Sequence, residues 1–147
     1  MNDMTKTIAL AKVVSCPAEA AWALVRSGRD IDRLLPDLVR SCRLEGEGVG
    51  ARRHCGTEKG TIEETIVLVD DAARTFGYRI DRQELMPLRG YRGTVHVADV
   101  GEGRTEILWL ATYELLDAGA DSGVRTALTG LLGQGIDAIG AIAGRGA

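Results

Sequence analysis

A chain of 147 residues, 45% hydrophobic and 27% charged, has the make-up of an ordinary globular protein and suits a single domain over 1–147 with one core and room for a cavity. Its net charge of −3 and pI near 5.4 leave no electrostatic footprint for nucleic acid or an anionic membrane surface. The longest apolar run, 136–144, is broken by Asp137 and falls short of the ~20 residues of a membrane span, and the opening MNDMTKTIAL has no signal-peptide core. Cys16, Cys42 and Cys55 make an odd number that fits reduced thiols, so the expectation is a cytoplasmic protein without membrane insertion.

Thr5–Val14 alternates loosely through Ile8, Leu10 and Val14 and predicts a first strand. Pro17 suits a helix first turn, Glu19 favours its positive end, and Gly28 stops it. A second short helix over 30–35 starts at Asp30 and ends at Pro36. Six strands follow, over 38–45, 51–57, 61–69, 75–81, 90–100 and 104–116, mostly joined by turns rich in glycine or aspartate. The longer connection, 82–89, carries Leu85, Met86 and Leu88, which would form the mouth of an apolar cavity or plug the sheet's end.

The last stretch, Asp121–Gly144, places Val124, Leu128, Leu131, Leu132, Ile136, Ile139 and Ile142 on one stripe of a long helix. No later element is expected to pack on it, so the earlier strands are expected to cover that stripe. The helix also holds Gly130, Gly133, Gly135 and Gly140, each about 1 kcal/mol poorer than alanine in a helix interior. Either the sheet approaches closely there, or missing side chains leave room for a ligand. The fold class is therefore α+β, with seven antiparallel strands, two short helices after the first strand, and a C-terminal helix as the element the sheet wraps.

Strand parity sorts the side chains into two faces. One face collects Ile62, Glu64, Ile66 and Leu68, then Phe76, Tyr78 and Ile80, then Tyr91, Gly93, Val95 and Val97, then Ile107, Trp109, Ala111 and Tyr113. Five of the six aromatic residues fall on it, which fits an enclosed apolar chamber and equally a plain core. The turns set Cys42 opposite Cys55 and Arg53 near Glu64, and the same parity turns Arg40 inward. An unpaired buried charge is costly, so Arg53 and Glu64 should pair. Such a pair is either a structural ion pair or a polar anchor, with Glu64 as a candidate base. His54 and His96 sit on the opposite faces, and no Cys or His spacing matches a metal site, so no metal or cofactor is expected. Cys42 and Cys55 read as small buried thiols, with a cross-strand disulfide or redox switch as the alternative.

Several motifs in order carry a resemblance: Pro17-x-x-x-x-Trp22, Cys42-x-Leu44-x-Gly46, Gly48-Val49-Gly50-Ala51-x-Arg53, Glu64, Asp70, Tyr78, Pro87-x-x-x-Tyr91-x-Gly93 and Trp109-x-Ala111-x-Tyr113. Together they resemble the START-like helix-grip (SRPBCC) superfamily, and most closely its polyketide cyclase/dehydrase and lipid-transport branch. The resemblance implies a curved seven-stranded sheet gripping the last helix around a cavity. Plant abscisic-acid receptors of that superfamily carry an inward glutamate, arginine and tyrosines matching Glu64, Arg53, Tyr78 and Tyr91. Their gate loop is longer than the 58–60 turn here, so hormone reception is not implied. Aromatase/cyclase relatives use a cavity arginine and aromatics, roles open to Arg53, Tyr78, Tyr91 and Trp109.

The expectation is thus a binder of a small hydrophobic or aromatic molecule, with cyclase- or dehydratase-like turnover as a further step. Glu64 and Arg53 are the catalytic candidates. Arg40, Phe76, Tyr78, Tyr91, Trp109, Tyr113, Leu85, Met86 and Leu88 are the ligand-binding candidates. The alternative is a protein-interaction module or homodimer, with a collapsed cavity and an exposed apolar patch around 85–88. Function drawn from such a versatile fold rests on analogy.

Overall fold

The computed structural model describes residues 4–145. In chain order its elements are β1 (Thr5–Val14), α1 (Ala18–Arg26), α2 (Ile31–Leu34), β2 (Ser41–Glu45), β3 (Arg52–Thr57), β4 (Gly60–Asp70), β5 (Thr75–Arg82), β6 (Leu88–Gly101), β7 (Arg104–Leu115) and α3 (Asp121–Gly144). A single 3₁₀ turn, Ala118–Ala120, leads into α3 after Asp117 accepts a hydrogen bond from the Gly119 N–H. The strands form one antiparallel sheet in the order β1-β7-β6-β5-β4-β3-β2. This is the antiparallel α+β architecture that the sequence pattern predicts, in the helix-grip arrangement that the resemblance implies.

The long helix seats its stripe on the sheet: Val124, Leu128, Leu132, Ile136 and Ile139 are all buried, the last two completely. By length and composition α3 could cross a membrane, yet here its apolar side forms the core of the domain. Close approach explains two of its interior glycines. A Cβ at Gly135 would lie 2.6 Å from Trp109 Cζ3, and one at Gly140 would lie 2.6 Å from Val14 Cβ. Gly130 faces open space, so it has no such excuse.

Two local devices position the candidate site. Gly28 ends the α1 region at a φ of +68°, and a Cβ there would meet Ile66 Cδ1 at 2.6 Å, so a glycine suits this point on two counts. Asp71, in the β4–β5 turn, accepts from Trp22 Nε1 at 2.9 Å and Arg26 Nε at 2.8 Å, which clasps α1 to the sheet. The Arg26 guanidinium beside Asp71 holds that carboxyl below its ordinary range, with the Trp22 hydrogen bond adding to the effect.

Register follows the turns as expected, with Cys42 opposite Cys55 and Arg53 opposite Glu64. Three expectations fail for local reasons. Leu68 should share the inner face with Ile66, but an irregularity in the β4–β5 pairing between these residues turns it outward, 40% exposed. Arg40 should point inward by parity with Cys42, yet β2 starts only at Ser41. Residues 38 and 39 instead hydrogen-bond back to the Leu35 carbonyl, so Val39 is buried and Arg40 lies on the surface beside Glu58. Cys42 and Cys55 are not separate thiols; they form a cross-strand disulfide, which leaves Cys16 as the free buried cysteine among the described residues.

Candidate functional site

Between α3, α2 and the sheet lies a cavity of about 80 Å³. Leucine, isoleucine and methionine make most of its wall, with Ile62 and Leu88 from the sheet and Leu128, Leu131 and Leu132 from α3. Glu64, Tyr78, Tyr91, Trp109 and Gln83 supply its polar atoms. Leu85 and Met86 close it from the 83–87 connection, both half-buried, while Leu88 is 5% exposed.

Alternation on β4, β5, β6 and β7 brings the inner residues together, since Glu64 pairs across with Ile80, Tyr78 with Gly93, and Gly93 with Ala111. Gly93 is what lets Tyr78 lie flat, because a Cβ at that position would fall 2.2 Å from Tyr78 Cζ. Tyr78 Oη accepts from Trp109 Nε1 at 3.1 Å and shares a 3.1 Å hydrogen bond with Tyr91 Oη. Edge-on packing of Trp109 against Tyr78, with centroids 6.5 Å apart, fixes the pair. Burial pushes the Tyr78 phenol up to about 12, with the Glu64 charge adding to it, and burial raises Tyr91 well above its ordinary value too.

The ion pair sits behind these rings. Arg53 Nη2 is 2.7 Å from Glu64 Oε1, with the two side chains 4% and 8% exposed. The Arg53 guanidinium also lies 5.0 Å from the Tyr78 ring centroid and 5.6 Å from that of Phe76, over two rings that themselves pack 6.3 Å apart, and Nη1 reaches toward the Gly28 carbonyl at 3.4 Å. Burial raises the Glu64 carboxyl above the usual carboxylate range, and Arg53 offsets only part of that rise.

The structure divides most of the expected site residues between two spaces. Glu64, Tyr78, Tyr91, Trp109, Leu85, Met86 and Leu88 line the cavity. Arg53 and Phe76 line a separate void of about 20 Å³ beside Gly28, on the far side of Tyr78. Arg53 therefore touches Glu64 and not the main cavity. Tyr113 lines neither space; its buried hydroxyl has no hydrogen-bond partner among the described residues and lies in the field of Arg125 and Asp121 at the start of α3. Arg40 is on the surface.

Gln83 is a site residue that the sequence pattern passes over. Its side chain accepts from the Leu85 and Met86 N–H groups and donates to the Met86 and Leu88 carbonyls, so one amide organises the whole connection. A lone glutamine in a loop gives no sequence signal of that role. Among the described residues no cluster of three His, Cys, Asp or Glu side chains is arranged to hold a metal ion.

An antiparallel sheet closed over a C-terminal helix, with a side-chain cluster between them, defines the START-like helix-grip class. Within that class the chain belongs to the family described as polyketide cyclase / dehydrase and lipid transport, which matches residues 5–144. The fold is similar to norcoclaurine synthase from Thalictrum flavum, solved as a point mutant in complex with a transition-state analogue, at 21% identity and a TM-score of 0.78 over 95% of this chain and 94% of that one. Major latex-like protein 151 from Panax ginseng is similar at 19% identity and a TM-score of 0.79, covering 94% and 97%. XoxI from Bacillus cereus matches at 22% identity and a TM-score of 0.79, covering 92% and 94%. No curated protein sequence matches.

Proposed function

We propose that this protein binds a small hydrophobic or aromatic molecule between α3 and the sheet. The observation that carries this is a cavity walled almost wholly by hydrocarbon, with one carboxylate and two phenols gathered on its sheet side. A core that only needed filling would place leucine or phenylalanine there, because buried polar groups add nothing to packing and require partners. The norcoclaurine synthase fold, also solved with dopamine and hydroxybenzaldehyde, offers a precedent for aromatic compounds on this architecture.

At about 80 Å³ the space holds a few waters, well under the roughly 300–1,000 Å³ of pockets that take drug-sized ligands. Entry therefore means that the 83–87 connection swings away, carrying Leu85 and Met86 with it. A cyclase- or dehydratase-like step on such a ligand would use Glu64 as the proton acceptor, since it is the carboxylate that faces the cavity. Arg53 would act through Glu64, as a positioning residue. The interaction-module reading expects an exposed apolar patch at 85–88, whereas Leu88 is buried and Leu85 and Met86 pack on the core.

The test is a melting-temperature survey with polyketide-like, phenolic and lipid compounds, because a ligand held only by the native state must raise the melting temperature. A compound at a hundred times its Kd adds about 2.7 kcal/mol. No shift across all three classes refutes binding. With a ligand in hand, Glu64→Gln distinguishes the two versions: an enzyme loses turnover and keeps its ligand, and a carrier shows no turnover to lose.

A further inference from the structure

The polar side of the cavity has a proton count that does not close. Trp109 Nε1 donates to Tyr78 Oη, and the Tyr78 and Tyr91 hydroxyls share one hydrogen bond. An indole and two phenols bring three protons, and these two bonds use two of them. Either phenol can donate in the Tyr78–Tyr91 bond; because a phenol that accepts a hydrogen bond becomes a better donor, we assign the chain as Trp109 to Tyr78 to Tyr91. The unused proton then belongs to Tyr91, which is 4% exposed and lines the cavity.

Glu64 supplies the complement. Its Oε1 lies 2.7 Å from Arg53 Nη2, and among the described residues no other group hydrogen-bonds to this carboxylate, so it keeps acceptor capacity. The same cavity lining contains no lysine, arginine or histidine, since Arg53 lies behind Glu64 and is already paired. A ligand carboxylate would meet the Glu64 charge with no cation to neutralise it, and a ligand ammonium would be buried beside a pair that is already balanced. Both are strongly disfavoured in a hydrocarbon wall.

We propose that the cavity selects neutral apolar molecules bearing a hydroxyl, phenols or enols, over carboxylic acids and over plain hydrocarbons. A single hydroxyl answers both protein groups, accepting from Tyr91 and donating to Glu64. This rests on the binding function proposed above and names its ligand class.

Three compounds of one shape separate the two ideas: naphthalene, 2-naphthol and 2-naphthoate, titrated at neutral pH by ligand fluorescence. The expected result is 2-naphthol binding at least ten-fold tighter than either of the others, with Tyr91→Phe reducing the preference for 2-naphthol over naphthalene. Naphthalene equal to 2-naphthol, or 2-naphthoate tightest, overturns the hydroxyl rule and leaves the cavity function standing. Failure of all three to bind removes both. If Tyr91→Phe does not fold, the ranking on the unaltered protein decides alone.

Discussion

Gly130 and Gly135 stand on one helix five residues apart, and alanine should move the stability in opposite directions at the two. Each substitution gains about 1 kcal/mol of helix propensity. At Gly130, among the described residues, no atom beyond the helix's own backbone stands within 4 Å of the new methyl, so that gain is realised in full. At Gly135 the methyl would sit 2.6 Å from Trp109 Cζ3, 3.1 Å from Cη2 and 3.4 Å from Leu35 Cδ2. The indole is 2% exposed and anchored through Nε1 to Tyr78, so it can yield only by straining the cluster. Overpacking of this kind costs about 1–3 kcal/mol, and a lost buried hydrogen bond about 1 kcal/mol more. Gly135→Ala should thus lose about 1–3 kcal/mol while Gly130→Ala gains up to about 1 kcal/mol. Denaturant unfolding with an unchanged m-value measures both. If Gly135→Ala proves as stable as Gly130→Ala, the indole is not seated on the helix, and the glycines leave usable space after all.

Glu64→Leu alone strands Arg53 in the core and should cost about 3–5 kcal/mol, whereas Arg53→Met with Glu64→Leu should return to wild-type stability or above it. A double variant as weak as the single one would mean that the pair contributes net stability. Tyr78 sets an alkaline dependence: its folded value near 12 lies above its unfolded value of 10.0, so the fold is favoured below pH 10 and loses that advantage as pH rises toward 12. Between pH 10 and 11 the unfolding free energy should fall by on the order of 1 kcal/mol from this group, and Tyr78→Phe should flatten that slope. An identical slope in the variant would place the titration elsewhere.

The parts of the fold legible in the sequence are those fixed by period and turn position. The α3 stripe has a 3.6-residue repeat, and the short turns set the Cys42–Cys55 and Arg53–Glu64 registers by counting alone. What could not be read depends on where strands break. A pairing irregularity after Ile66 reverses Leu68, and the late start of β2 releases Arg40 to solvent. Both leave the hydrophobic pattern intact, so periodicity is silent on them. Site membership was harder still. Phe76 and Tyr78 share a face, yet the Tyr78 ring, lying over Gly93, screens Phe76 and Arg53 from the main cavity. That partition depends on side-chain direction in three dimensions, which parity cannot supply.

An open sheet has two free rims, and each is a template on which a second molecule could build. The β1 rim carries Lys6 and Lys12, tied to Asp121 and Asp137 of α3, so an incoming strand would meet buttressed charge. The β2 rim is only five residues long, shows Ser41, Arg43 and Glu45 to solvent, and is bolted to its neighbour through Cys42. A chain defended in this way at both margins should stay dispersed at high concentration.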